Sequence, residues 1–155
     1  MSPTSSSPAK QLAGFLDKYE PAIAATARAA IAAMRKRLGT ATELVYDNYN
    51  ALAIGFGPSD RASEAILSIA VYPRWISLFF LQGVNLPDPE RRLRGNGSKV
   101  RHIVLNDAKD LRLAAVEALI SAALASAKKP LDPDSRRRLI IKSVAAKQRP
   151  RRPTR

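Results

Sequence analysis

LVYDNYNALAIGFGPSDRASEAILSIAVYPRWISLFFL, residues 44–81, decides the fold of this chain. Four runs in it, Leu44 to Tyr49, Ala51 to Phe56, Ala65 to Tyr72 and Trp75 to Leu81, are rich in β-branched and aromatic side chains. Asn50, the Gly55 to Arg61 region and Pro73-Arg74 separate them. Parallel pairing needs crossover connections of a dozen or more residues, so these short links predict an antiparallel meander. Working outward, a long loop from Gln82 to Ser98 leads to a fifth strand, Val100 to Leu105.

On the N-terminal side, Leu12, Phe15, Leu16 and Tyr19 repeat at the spacing of a short amphipathic helix. Pro21 suits the first turn of a second helix, which runs to about Leu38 and buries Ile23, Ala27, Ile31, Met34 and Leu38. Gly39 supplies a left-handed stop, and Arg35, Lys36 and Arg37 sit at the negative end of the helix dipole. A closing helix, about Leu111 to Lys128, presents Val116, Leu119, Ile120, Ala123, Leu124 and Ala127 on one face, with Asn106 or Asp107 available as its cap. The order helix, strands, helix predicts an α+β two-layer sandwich, an antiparallel sheet of about five strands with the N- and C-terminal helices on one face.

The 155 residues, 46% hydrophobic, suffice for one domain. Residues 1 to 8 read as a disordered leader, 9 to 129 as the α+β domain and 130 to 155 as a basic tail. Residues 128 to 155 hold eleven basic side chains against two acids, a net +9, so the preceding 127 residues carry only +4 of the +13. In that body Arg91, Arg92, Arg94, Lys99 and Arg101 cluster around Gly95 and Gly97 in a loop. Within the tail, RRRLIIKSV (136–144) fits a short helix or an extra edge strand, the strand being favoured by Ile140, Ile141 and Val144. QRPRRPTR beyond Lys147 is expected to hold no core.

Absence of cysteine removes disulfides and Cys-based metal sites. The opening MSPTSSSPAK is polar where a secretory signal is apolar. Ala114 to Ala127 is too short to span a bilayer and carries Glu117. A soluble, cytoplasmic protein without membrane contact is therefore expected.

Chemistry-bearing residues are sparse. His102 is the only histidine and reads as a sheet-surface residue making ordinary hydrogen bonds. Gly95-Asn96-Gly97-Ser98-Lys99 lacks the spacing of a phosphate loop, and no G-x-S-x-G elbow exists. Glu43 and Asp47 share a face by the period of two and offer either an acid–base pair or, more commonly, a solvated edge. No catalytic set, cofactor or metal ligand set is expected, and the chain leans away from enzyme activity. Helices covering one side leave a far face with Tyr46 or Tyr49, Trp75 or Ile76, and Phe79 or Phe80. That face reads as a binding platform, a homodimer interface or a layer covered by the long loop.

Three segments together carry a resemblance: Glu43 to Asn50, AILSIAVYPRWISLFF, and Gly97 to Ile103 ahead of the last helix. They resemble the YdhG-like group of small bacterial proteins, mostly of unknown function, one branch of which is described as frataxin-like intracellular iron chaperones. The resemblance spans about Gln11 to Ala127, and IIKSVAAKQRPRR is similar to tails of that group. It implies a frataxin-like architecture. Iron binding there relies on an acidic ridge along the first helix and strand, because hard iron takes carboxylate ligands. Here Asp17, Glu20, Glu43 and Asp47 face Lys10, Lys18, Arg28, Arg35, Lys36 and Arg37, a net positive region that repels Fe²⁺.

Two binding roles follow. The first is a non-enzymatic domain for a small or anionic ligand, with Tyr46, Asp47, Tyr49, Arg94, Lys99, Arg101 and His102 as candidate contacts. The second is nucleic-acid association through the tail arginines Arg149, Arg151 and Arg152, spaced by prolines.

Overall fold

The computed structural model describes residues 7–153. It is an α+β fold with three helices and one six-stranded sheet, and both outer elements grow from the meander. Helix α1 covers Pro8–Asp17 and α2 covers Pro21–Leu38. Strands follow as β1 (Thr42–Asp47), β2 (Leu52–Gly57), β3 (Leu67–Val71), β4 (Ile76–Phe80) and β5 (Arg101–Leu105). A 3-10 turn, Ala108–Arg112, leads into α3 (Ala114–Ser126), and β6 (Leu139–Val144) closes the chain.

Local chemistry sets these boundaries. Ser7 caps α1 by accepting the Lys10 N–H at 3.2 Å, so the expected leader overlaps the helix start at Ser7 and Pro8. Residues 1 to 6 of that leader lie outside the described residues. Gly39 ends α2 at a φ of +41°, donating to the Arg35 carbonyl. Asp107 and Asp110 form a reciprocal capping box on the 3-10 turn, and α3 starts afresh at Ala114, three residues later than the sequence suggests.

Strand order is β5-β4-β3-β2-β1-β6. The first five pair antiparallel, whereas β6 lies parallel to β1. The sheet is therefore six-stranded and mixed, not five-stranded and antiparallel. The extra strand comes from the tail, whose Leu139, Ile140 and Ile141 pair with Glu43, Leu44 and Val45. The Glu43 N–H to Arg138 carbonyl bond (2.7 Å) and the Ala145 N–H to Asp47 carbonyl bond (2.8 Å) delimit the ladder.

Register fixes the two faces. Val45, Ile54, Ile69, Leu78 and Ile103 stand opposite one another across five strands and, with Leu52, Phe56, Leu67, Val71, Ile76 and Phe80, form the sheet half of the core. The helices supply Leu12, Leu16, Ala27, Ile31, Met34, Val116, Leu119 and Ile120. Each fully buried Ile, Leu or Phe contributes roughly 1.5–3 kcal/mol of transfer free energy. Tyr19, just past α1, ties the layers together: its hydroxyl donates to the Val71 carbonyl (2.8 Å) and accepts the Leu52 N–H (3.2 Å). Burial raises its pKa to about 12, against partial compensation by the Arg151 guanidinium.

Candidate functional site

Glu43 and Asp47 share the parity of Val45, so they point with it toward the helices. Both are fully buried, which corrects the expectation of a solvated edge. Buried carboxylates need cations, and each receives one from a helical segment and one from the tail. Arg35 of α2 grips Glu43 with a bidentate fork (2.8–3.1 Å), and Arg137 adds a 3.3 Å contact. Asp47 accepts from Lys18 at 2.6 Å and from Arg151 at 2.9 Å. Burial alone would raise the Asp47 pKa. The Lys18 ammonium, the Gln148 amide and the Arg151 guanidinium outweigh burial and hold it below the ordinary 3.8. The oxygens of both carboxylates are taken up by these cations, so the pair ties the tail to the helical layer.

Contrary to the expectation that the chain beyond Lys147 holds no core, Arg151 is 5% exposed. Besides Asp47, its guanidinium donates to the Tyr49 carbonyl (3.2 Å) and the Asn48 carbonyl, and it lies 5.9 Å from the centroid of the Tyr19 ring. Gln148 joins the same knot through the Asp47 and Ala145 carbonyls (3.1 and 3.2 Å) and the Lys18 ammonium (2.9 Å). Of the three tail arginines expected on nucleic acid, Arg151 is thus internal. Arg152 and Arg149 stay at the surface, Arg152 Nε donating to the Lys18 carbonyl and the Arg149 guanidinium lying 5.7 Å from the Tyr49 ring.

The other candidate residues separate. Tyr46 points to the sheet face away from the helices; its hydroxyl is buried without a hydrogen-bond partner, and burial raises its pKa. Tyr49 lies past the end of β1, in the turn, and is 44% exposed. His102 is on the same outer face, tilted against Phe79 at 5.0 Å, and its backbone pairs with Arg94 through two hydrogen bonds (2.8 and 2.9 Å). Arg101 turns back on its own loop, donating to the Gly97 and Val100 carbonyls at 2.6 and 2.8 Å. Arg94 joins Arg91 and Arg92 along a polar hollow of about 470 Å³ beside β5, where Arg92 is paired with Glu90.

Lys99 belongs elsewhere. It lines a cleft of about 560 Å³ with Ile66, Phe80, Leu86 and Ala123, opposite Lys128 and Lys129 at the end of α3. One wall is the 3-10 turn Gly83–Asn85, held by the Val84 N–H to Lys99 carbonyl bond (2.9 Å). Gly83 is required there: a Cβ would come within 2.6 Å of Arg101 Cβ. Among the described residues none of the three ammonium groups has an acidic partner, and the one carboxylate in the cleft, Glu64, accepts from the Ser59 hydroxyl at 2.6 Å and leaves the three lysines in excess. The hollow between α2 and α3, about 640 Å³, has Lys36, Arg37, Lys109 and Arg112 at its lip with Glu117 among them, and Arg37 there donates to the Ser121 hydroxyl at 2.6 Å.

Sequence reasoning missed Lys128 and Lys129 as site residues because only the fold carries them to Lys99. It also missed the pairing of the β1 acids. Their shared parity with Val45 was the available signal, since whichever face buries Val45 also receives both acids. Among the described residues no three His, Asp or Glu side chains gather at metal-binding distance, and no helix is long and apolar enough to cross a membrane. No family model, curated protein or solved structure matches the chain.

Proposed function

We propose that this chain is a non-enzymatic binding domain of the YdhG-like type that takes a small amphipathic anion in the cleft between the Gly83–Asn85 turn and the end of α3. The observation that carries the proposal is the set of three lysines, Lys99, Lys128 and Lys129, without an ion-pair partner among the described residues, above an apolar floor of Ile66, Phe80 and Leu86. An ammonium at such a lip attracts a carboxylate or phosphate head, while the floor takes an apolar body. The α3 carbonyl end is left without a capping N–H, and Lys128 and Lys129 also answer that partial negative charge. The frataxin-like architecture belongs to the same proposal, supported by helices on one face of a β1 to β5 meander. Iron chaperoning is the weaker reading, because the strand acids Glu43 and Asp47 are already held by four cations inside the fold.

Thermal unfolding in the presence of octanoate or hexyl phosphate, with acetate and inorganic phosphate as controls, tests the site. Saturable stabilisation by the amphipathic anions is expected, growing with ligand excess as mass action requires. Lys99→Glu and Lys128→Glu should remove it. Equal response to acetate, or an unchanged response in both variants, would overturn the assignment.

A further inference from the structure

The sheet face turned away from the helices holds a second, separate surface. Its outward positions run, in register, Leu44–Gly55–Ser68–Phe79–His102 and Tyr46–Ala53–Ala70–Ser77–Val104. The central strands therefore contribute only small side chains, and the sheet is hollowed there into a trough of about 560 Å³. Tyr49 and Tyr72 line it from the turns at one end of the sheet, and Phe79 lines it from β4. Trp75 stacks on Tyr72 with centroids 4.7 Å apart. Tyr49 and Trp75 are each 44% exposed, unusual for rings of that size in a chain whose core is otherwise closed.

Past β5, the acids Asp107 and Asp110 at this end of the sheet are held in the capping box. Among the described residues Arg149 stands over Tyr49, Arg74 occupies the turn between Tyr72 and Trp75 without a partner, and no acidic side chain lines the trough. A second copy seated face to face would bring Arg74 and Arg149 of both molecules together. An acidic peptide would satisfy the arginines and leave the rings unused. Flat rings beside free guanidinium groups suit a ligand that offers flat rings and regularly spaced anions together.

We propose that this face binds single-stranded nucleic acid, with bases stacking on Tyr49 and the Tyr72–Trp75 pair and phosphates meeting Arg74 and Arg149. A duplex is excluded by the same geometry, since its bases are stacked on one another and its edges do not present ring faces. The surface shares no residue with the lysine cleft, so the two proposals stand or fall separately.

The test uses the full chain and a fluorescein-labelled 12-nucleotide oligouridylate, with a blunt RNA duplex of the same length as control. Anisotropy at 50 and 200 mM NaCl gives affinity and salt slope, and the fluorescence of Trp75, the only tryptophan, reports contact directly. The expected results are preference for the single strand, saturable quenching of Trp75, and about tenfold or greater weakening in Tyr49→Ala. Arg149→Ala should lower the salt slope by about 0.7. Equal binding of duplex, an unaltered affinity in Tyr49→Ala, or equal competition by polyaspartate would overturn the proposal. So would a dimer of the free protein that Tyr49→Ala dissociates, which would give the face to a second copy. Far-ultraviolet circular dichroism of each variant separates loss of binding from loss of fold.

Discussion

Replacing Arg151 by alanine should unfold this protein more readily than any other single change in the tail. Its guanidinium makes a 2.9 Å charge-assisted bond to a fully buried carboxylate and also satisfies the Asn48 and Tyr49 carbonyls. A bond of the first kind is worth about 1.5–3 kcal/mol and a carbonyl bond about 0.5–1.5. Removing one partner of a buried pair costs about 3–5 kcal/mol, because the remaining charge is left without compensation. Lys18 still holds the other Asp47 oxygen at 2.6 Å, which places the expected loss at the low end, about 3 kcal/mol. For a chain of this size that lowers the melting temperature by roughly 6–12 °C. Urea unfolding of the wild type and Arg151→Ala at pH 7 measures it. The pH dependence supplies a second check. Asp47 has its pKa depressed in the fold, so its contribution is present above the unfolded value of 3.8 and lost as pH falls through the lower folded value. The gap between wild type and variant should therefore narrow below about pH 4. A gap under about 1 kcal/mol at pH 7, or one that persists unchanged at pH 3, would refute the reasoning.

At the other end of the scale, Tyr19 is held neutral with a pKa of about 12. Its contribution is complete below pH 10 and declines as pH rises toward 12, so Tyr19→Phe should flatten the alkaline limb of a pH–stability curve measured by tyrosine absorbance and circular dichroism. Arg35→Ala should destabilise more than Glu43→Gln in chemical denaturation. The first strands a buried carboxylate, whereas the second frees a guanidinium that can reach water. Gly83→Ala meets Arg101 Cβ at 2.6 Å and should cost about 1–3 kcal/mol while displacing the cleft wall. Calorimetry would check the first effect and loss of octanoate binding the second. Truncation after Lys129 removes β6, Arg137 and Arg151 together, and should yield a chain that fails to give a cooperative melting transition.

Much of this architecture is written in local pattern. The alternation from Leu44 to Leu81 determined the meander, Gly39 the end of α2, and Val100 to Leu105 the fifth strand, since each depends on residues within one or two turns of one another. The helix, strands, helix order then settled the α+β class. The sequence also marked the loop and tail as separate sources of positive charge. Where the charges go was decided only by tertiary structure. Lys99 meets Lys128 and Lys129 across the cleft, Arg101 folds back on its loop, and the tail adds a strand on either side of which Arg137 and Arg151 close over Glu43 and Asp47. Arg137 and Arg151 lie 94 and 104 residues from the acids they neutralise. Periodicity reports which side of its own element a residue faces, whereas an ion pair across that distance exists only after the sheet and helices have brought its two halves together.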